Sequence, residues 1–234
     1  GEFIPAGEFA LLGVSGLEDL RATEATENVE RAFDVLDSNM QDIYRRGAPS
    51  RATEIKLASG DIQVGDGVSI NINATNTSDS TDNTSFVMST DPVVYDDGDG
   101  TKILYVAGAV VRSDRGSAVM LSEPDWLASA NRTVVPFVVT YNDGDRTVLS
   151  GQGTGLLVLQ RASSSLSSFT TGPDSAARVN VSVDSPRAEV WKRYFEKQGF
   201  TALDDSPGDG TVVYQFRTDE IYVPRTDIGV TLKR

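Results

Sequence analysis

From Leu17 to Ile43 the apolar residues fall at steps of three and four: Leu17, Leu20, Val29, Phe33, Leu36, Met40 and Ile43, with small Ala22, Ala25 and Ala32 between them. That spacing puts one sticky seam on an α-helix, and no proline interrupts it. The pattern predicts a single helix over 16–46, roughly 45 Å long at about 1.5 Å per residue. Arg45 and Arg46 stand where the helix dipole is negative, Gly47 suits a left-handed cap, and Pro49 forbids continuation. A seam of that length exceeds what a small globule covers, so the part before Val29 is expected to project and meet lipid or neighbouring subunits. The part from Val29 to Ile43 is expected to pack on its own domain.

After Pro49 the pattern changes to alternation and short apolar runs. Segments 53–57, 61–64 and 68–72 read as strands, and the polar stretch 73–85 reads as a solvated loop. Asp96-Asp97-Gly98-Asp99-Gly100, Ser113-Asp114-Arg115-Gly116 and Asn142-Asp143-Gly144-Asp145 each lie between apolar runs and predict three hairpins. Further strands are expected at 156–159, 178–183, 212–216, 220–223 and 229–232. Ser163 to Ser168 reads as a loop or weak edge strand. One helix is expected near 186–198, with Ser185 as its cap and Val190, Trp191, Tyr194 and Phe195 on one face over a sheet. The fold class implied is α+β, mainly β: a stem helix in 1–48, then in 49–234 a sandwich-like head of about a dozen strands with one short covering helix.

Composition narrows the chemistry. The chain has 234 residues with 34 Asp and Glu against 21 Lys and Arg, a net charge of -13, and only five lysines. Such a surface stays hydrated in brine, where screening acts within a few ångströms, so a halophilic source is expected. A chain this acidic lacks the cationic footprint that nucleic acid requires. There is no cysteine and no histidine, which removes disulfides, thiol catalysis, Ser-His-Asp hydrolysis and the commonest transition-metal ligands. No cofactor or metal is expected.

Three motifs remain. Five of nine asparagines, Asn73, Asn76, Asn83, Asn131 and Asn180, stand in Asn-x-Ser/Thr, where roughly two would arise by chance. They are candidate N-glycosylation sites and point to an extracytoplasmic surface. Asp-Gly turns at 96–99, 143–145 and 204–209 invite a calcium reading but lack the twelve-residue loop with its closing glutamate, and hairpin turns account for them. Glu123-Pro124-Asp125-Trp126 could serve a carboxylate hydrolase, with the indole stacked on a sugar. A turn at Pro124 with Trp126 anchored in the core explains the motif as well, and the chain is not expected to be an enzyme.

Arg45-Arg46-Gly47-Ala48-Pro49-Ser50-Arg51-Ala52-Thr53-Glu54 after a stem helix, Gly108-Ala109-Val110-Val111-Arg112-Ser113, Glu123-Pro124-Asp125-Trp126, Asp184-Ser185-Pro186-Arg187-Ala188 and Trp191-Lys192-Arg193-Tyr194-Phe195 together resemble haloarchaeal type IV pilin-like surface proteins. The resemblance covers most of the chain from Leu17 onward. It implies export, processing by a pilin-type signal peptidase, passage through the membrane during biogenesis, and a cell-surface or extracellular location. The partners it implies are further copies or other pilins, joined in a helical filament that serves adhesion or attachment. Phe9, Leu11, Leu12, Val14, Leu17 and Leu20 are the expected assembly surface. Glu2, Pro5, Gly7 and Glu8 make the first sixteen residues more polar than a filament-core helix. That departure keeps open the alternative of a membrane-tethered, non-polymerising ectodomain that binds a glycan or a protein.

Overall fold

The structure is a computed structural model that describes residues 6–65, 67–172 and 174–234, with side chains described from Thr23 onward. Helix α1 (Ala6–Tyr44) leads into sixteen strands and a second helix, α2 (Ala188–Lys197). Gly47, at φ +74°, turns the chain out of α1, as its sequence position predicts.

The strands form three sheets. In sheet A, β12 (Gly153–Thr170) lies between β1 (Ser50–Leu57) and β16 (Glu220–Lys233), and β16 also pairs in parallel with β9 (Arg132–Val134) and β10 (Phe137–Asn142). Sheet B runs β11 (Val148–Ser150), β2 (Asp61–Val64), β5 (Val93–Asp96), β6 (Thr101–Val106), β7 (Ala109–Asp114), β8 (Ser117–Ser122). Sheet C runs β14 (Thr201–Asp204), β15 (Thr211–Thr218), β13 (Ala177–Asp184), β3 (Val68–Asn76), β4 (Asn83–Thr90). The protein is therefore β-rich α+β, with three sheets in place of the two of a simple sandwich.

Two apolar cores explain the stacking. Successive residues of a strand point to opposite faces, so a strand buried on both sides reads as a continuous apolar run. Sheet B does this. Val94, Leu104 and Val111 enter a core shared with sheet C and α2, while Val93, Tyr95, Ile103, Tyr105 and Val110 enter a second core under α1 and sheet A. The α1 seam supplies that second core with Val29, Phe33, Leu36, Met40 and Ile43, each no more than 1% exposed. Helix α2 closes the first core with Trp191, Tyr194 and Phe195, whose rings lie 5.6–6.3 Å apart and meet Trp126 at 5.7–6.2 Å. Offset and edge-on aromatic packing of this kind adds to the area term.

Three expectations are corrected. Segment 73–85 is no loop: β3 continues to Asn76 and β4 starts at Asn83, leaving only 77–82 between them. The strand persists because Ile70, Ile72 and Ala74 keep alternate positions buried while Asn71 and Asn73 face out. The Asn142–Asp145 turn does not make a hairpin, since β10 pairs with β16 and β11 with β2 in another sheet. Ser185 does not cap α2 directly: its hydroxyl accepts from the Arg187 amide at 3.2 Å, and Arg187 is the N-cap residue. Segment 163–168 takes the edge-strand alternative: it is part of the long β12 and bonds to β16 on one side only.

Candidate functional site

The last turns of α1 meet the end of β8 and the segment that follows it through polar side chains. Asp37 sits on the α1 seam yet is only 7% exposed. Its Oδ2 accepts from Gln41 at 3.1 Å and Ser122 at 2.9 Å, while Oδ1 has no partner. Burial raises its carboxyl above the usual range, the hydrogen bonds from Ser122 and Gln41 pull the other way, and the nearby Asp125 and Asp34 charges reinforce the rise. Tyr105, fully buried, likewise leaves its hydroxyl unpartnered, and burial drives its phenol far up.

About two helical turns on from Asp37, the Tyr44 hydroxyl donates to Asp125 Oδ2 at 2.5 Å and Arg45 reaches the same oxygen at 3.2 Å. Tyr44 also titrates well above a free phenol, from burial first and then from this bond to a carboxylate. Lys197 of α2 holds Glu123 at 2.7 Å. Glu123-Pro124-Asp125-Trp126 thus ties the two helices together: Asp125 to α1, Glu123 to α2, and Trp126, 6% exposed, into the aromatic cluster. The two carboxylates are engaged by cations from different helices and do not face each other across one cleft. Beside Asp125 opens a pocket of about 320 Å³ whose walls include Tyr44, Arg45, Leu127, Phe137 and Pro224. Its chemistry is an apolar wall with one cation and one carboxylate at the rim. Sequence reasoning found Asp125 and Trp126 but missed Tyr44 and Asp37, whose interior positions depend on contacts about 80 residues away.

In the turns at 96–99 and 204–209, carboxylates accept from amides of the same turn. Asp97 Oδ1 accepts from the Asp99 and Thr101 amides, both at 2.8 Å, and Asp96 pairs with Lys102 at 2.7 Å. Among the described residues no group of three or more acids is placed to hold a metal ion.

The sequon asparagines gather on the outward face of sheet C and its rim, with Asn131 apart. Asn73 and Asn180 are register partners on β3 and β13, in a row with Ser85 and Gln215, and Asn180 accepts from Gln215 at 2.8 Å. Asn76 donates to Asp82 at 3.0 Å and Asn83 donates to the Ser80 and Thr81 carbonyls at 3.2 Å, so these two hold the 77–82 turn. Asn73 and Asn131 are exposed with no side-chain hydrogen bond among the described residues. The side chains of Phe9, Leu11, Leu12, Val14, Leu17 and Leu20 lie outside the described residues.

A mainly β head with a helix docked on it, joined by a half-buried polar tie, defines the architecture. The chain belongs to the DUF7289 family, a family of unknown function, whose model matches residues 7–231. Comparison with curated proteins and with solved structures finds no match.

Proposed function

We propose that this chain is a structural subunit of a type IV pilus-like surface filament, exported and assembled through its N-terminal helix with its acidic head facing brine. The observation that carries the reading is where the head's cover over α1 begins. Among the described side chains of α1 the first buried one is Val29, whereas Thr23, Glu24, Glu27 and Asn28 are exposed. The sequence carries further apolar residues upstream, Leu17 and Leu20 three apart and then Phe9, Leu11, Leu12 and Val14. On this reading those residues bundle with other copies and exclude water, at about 25 cal/mol per Å² of apolar surface. A heterologous contact of that kind extends without closing. The stem of one subunit would be held to its own head by the Phe33 to Ile43 seam and by the Tyr44–Asp125 tie.

The pocket beside Asp125 favours a second reading, a tethered ectodomain that presents its head to a glycan or protein. Negative-stain microscopy in molar salt separates the two. The pilus reading expects filaments from the native chain and none from Leu17→Asp/Leu20→Asp, with the far-ultraviolet dichroism of the head retained. Filaments that persist in the double variant would overturn assembly through the stem, and a monodisperse native chain would favour the tether.

A further inference from the structure

The outer half of β12 is an edge of unusual character. Strand β1 covers β12 only over 153–160, and from Gln160 to Ser168 every residue is exposed. On its other side this half pairs with β16 from Ser163↔Asp227 to Thr170↔Glu220. In that ladder Leu166 stands opposite Pro224. A proline has no N–H to give, so this pair is of the non-hydrogen-bonded kind. It follows that the backbone N–H and C=O of Leu166, and by alternation those of Ser164 and Ser168, point away from β16. Among the described residues no strand or loop receives them.

Protein edges are usually blunted by lysine, proline or an inward charge. Here no ionisable side chain stands between Arg161 and Asp174, and Leu166 is 66% exposed. The flanking charges on β16 are already paired, Arg225 with Asp227 at 2.8 Å. We propose that this edge pairs antiparallel with the same edge of a second copy, about a two-fold axis at Leu166. The order Ser163-Ser164-Ser165-Leu166-Ser167-Ser168 supports the same segment as occupant, because it reads nearly alike in both directions. Pairing of Leu166 with its mate, and of Ser164 with Ser168 on each side, forms roughly six main-chain hydrogen bonds. Charge selects the same answer. In a chain of net charge -13, a stretch free of carboxylates is where two copies meet with least repulsion. This contact does not rest on the stem or on the filament reading.

The chain has no cysteine, so one can be introduced as a reporter. In the Leu17→Asp/Leu20→Asp background, Leu166→Cys places dyad-related Cα atoms about 5.5 Å apart, within disulfide reach. Under mild oxidation at micromolar protein it is expected to link roughly a hundredfold faster than Leu203→Cys, a reporter on β14 that is also exposed, because a paired edge holds the thiols at millimolar effective concentration or more. Sedimentation of the cysteine-free background is expected to show a dimer that strengthens with salt. Leu166→Lys is expected to abolish that dimer while the melting temperature stays unchanged. Equal linking at 166 and 203, or a monomer at every concentration and salt, overturns the proposal. A native chain that forms no filaments while the link is retained would count against the stem alone, and native filaments without the link against the edge alone.

Discussion

Phe33 is the sharpest test of how α1 is held. Its ring is fully buried between α1 and the second core, whereas Val35, two positions on, is 53% exposed. A buried aromatic side chain covers about 150–250 Å². At about 25 cal/mol per Å² that is roughly 4–6 kcal/mol of transfer energy, and truncation to alanine in a packed core costs about 3–5 kcal/mol. Val35→Ala, on the solvent side, should stay within about 0.5 kcal/mol. Urea denaturation in constant high salt reads the difference. With a slope of about 2–3 kcal/mol per molar, Phe33→Ala should lower the midpoint by roughly 1–2 M while leaving the slope unchanged. Because the same core contains Tyr95, Tyr105 and Ile228, the helix and sheets should unfold in one transition followed equally by dichroism and tryptophan fluorescence. Two separated transitions, with the tryptophan signal indifferent to Phe33→Ala, would refute the view that this half of α1 is part of the head.

Other expectations follow from the same contacts. Asp37 has its carboxyl raised in the folded state, so its contribution is favourable below the unfolded value of 3.8 and is lost as pH rises through the raised value. Asp37→Asn should therefore raise the melting temperature at neutral pH, with a gain that shrinks as pH falls towards 3.8; a gain independent of pH would show that charge burial is not the cause. Gly60 lies at φ +80°, and a Cβ there would stand 2.4 Å from the Asp96 carbonyl oxygen, whereas Gly98, at φ +83°, faces open space. Gly98→Ala should cost about 1–2 kcal/mol for the left-handed conformation alone and Gly60→Ala clearly more, as read by thermal melts. Intact-mass measurement on protein from its native host should find glycans at Asn73 and Asn131 lost singly in Asn73→Gln and Asn131→Gln, and none at Asn180, whose register places it about 5 Å from Asn73. Glycans on both members of that pair would contradict the crowding.

The parts of the fold that were legible are those set by local spacing. Val29, Phe33, Leu36, Met40 and Ile43 announced a buried helical seam, and the hairpins at 96–100 and 113–116 followed from their turns. What was not legible is set by partners far along the chain. Asn142–Asp145 has hairpin composition, yet Phe137, Val138 and Val139 are all buried, the signature of a strand covered on both faces, and such a strand found its neighbour in β16. The Asn71–Asn76 stretch did carry a strand signal in its alternation, which its polar composition masked. The same holds at the site. Asp125 could be singled out because it neighbours a tryptophan, but nothing near Tyr44 or Asp37 in the chain foretells Asp125 or Ser122.

Strand β16 bridges β12 on one side and β9 and β10 on the other, and Arg234 just beyond it donates to the carbonyls of Ser150 and Gly151. Sheet A therefore lacks its middle until 220–233 is in place: without that strand the β1–β12 pair shares no ladder with β9 or β10.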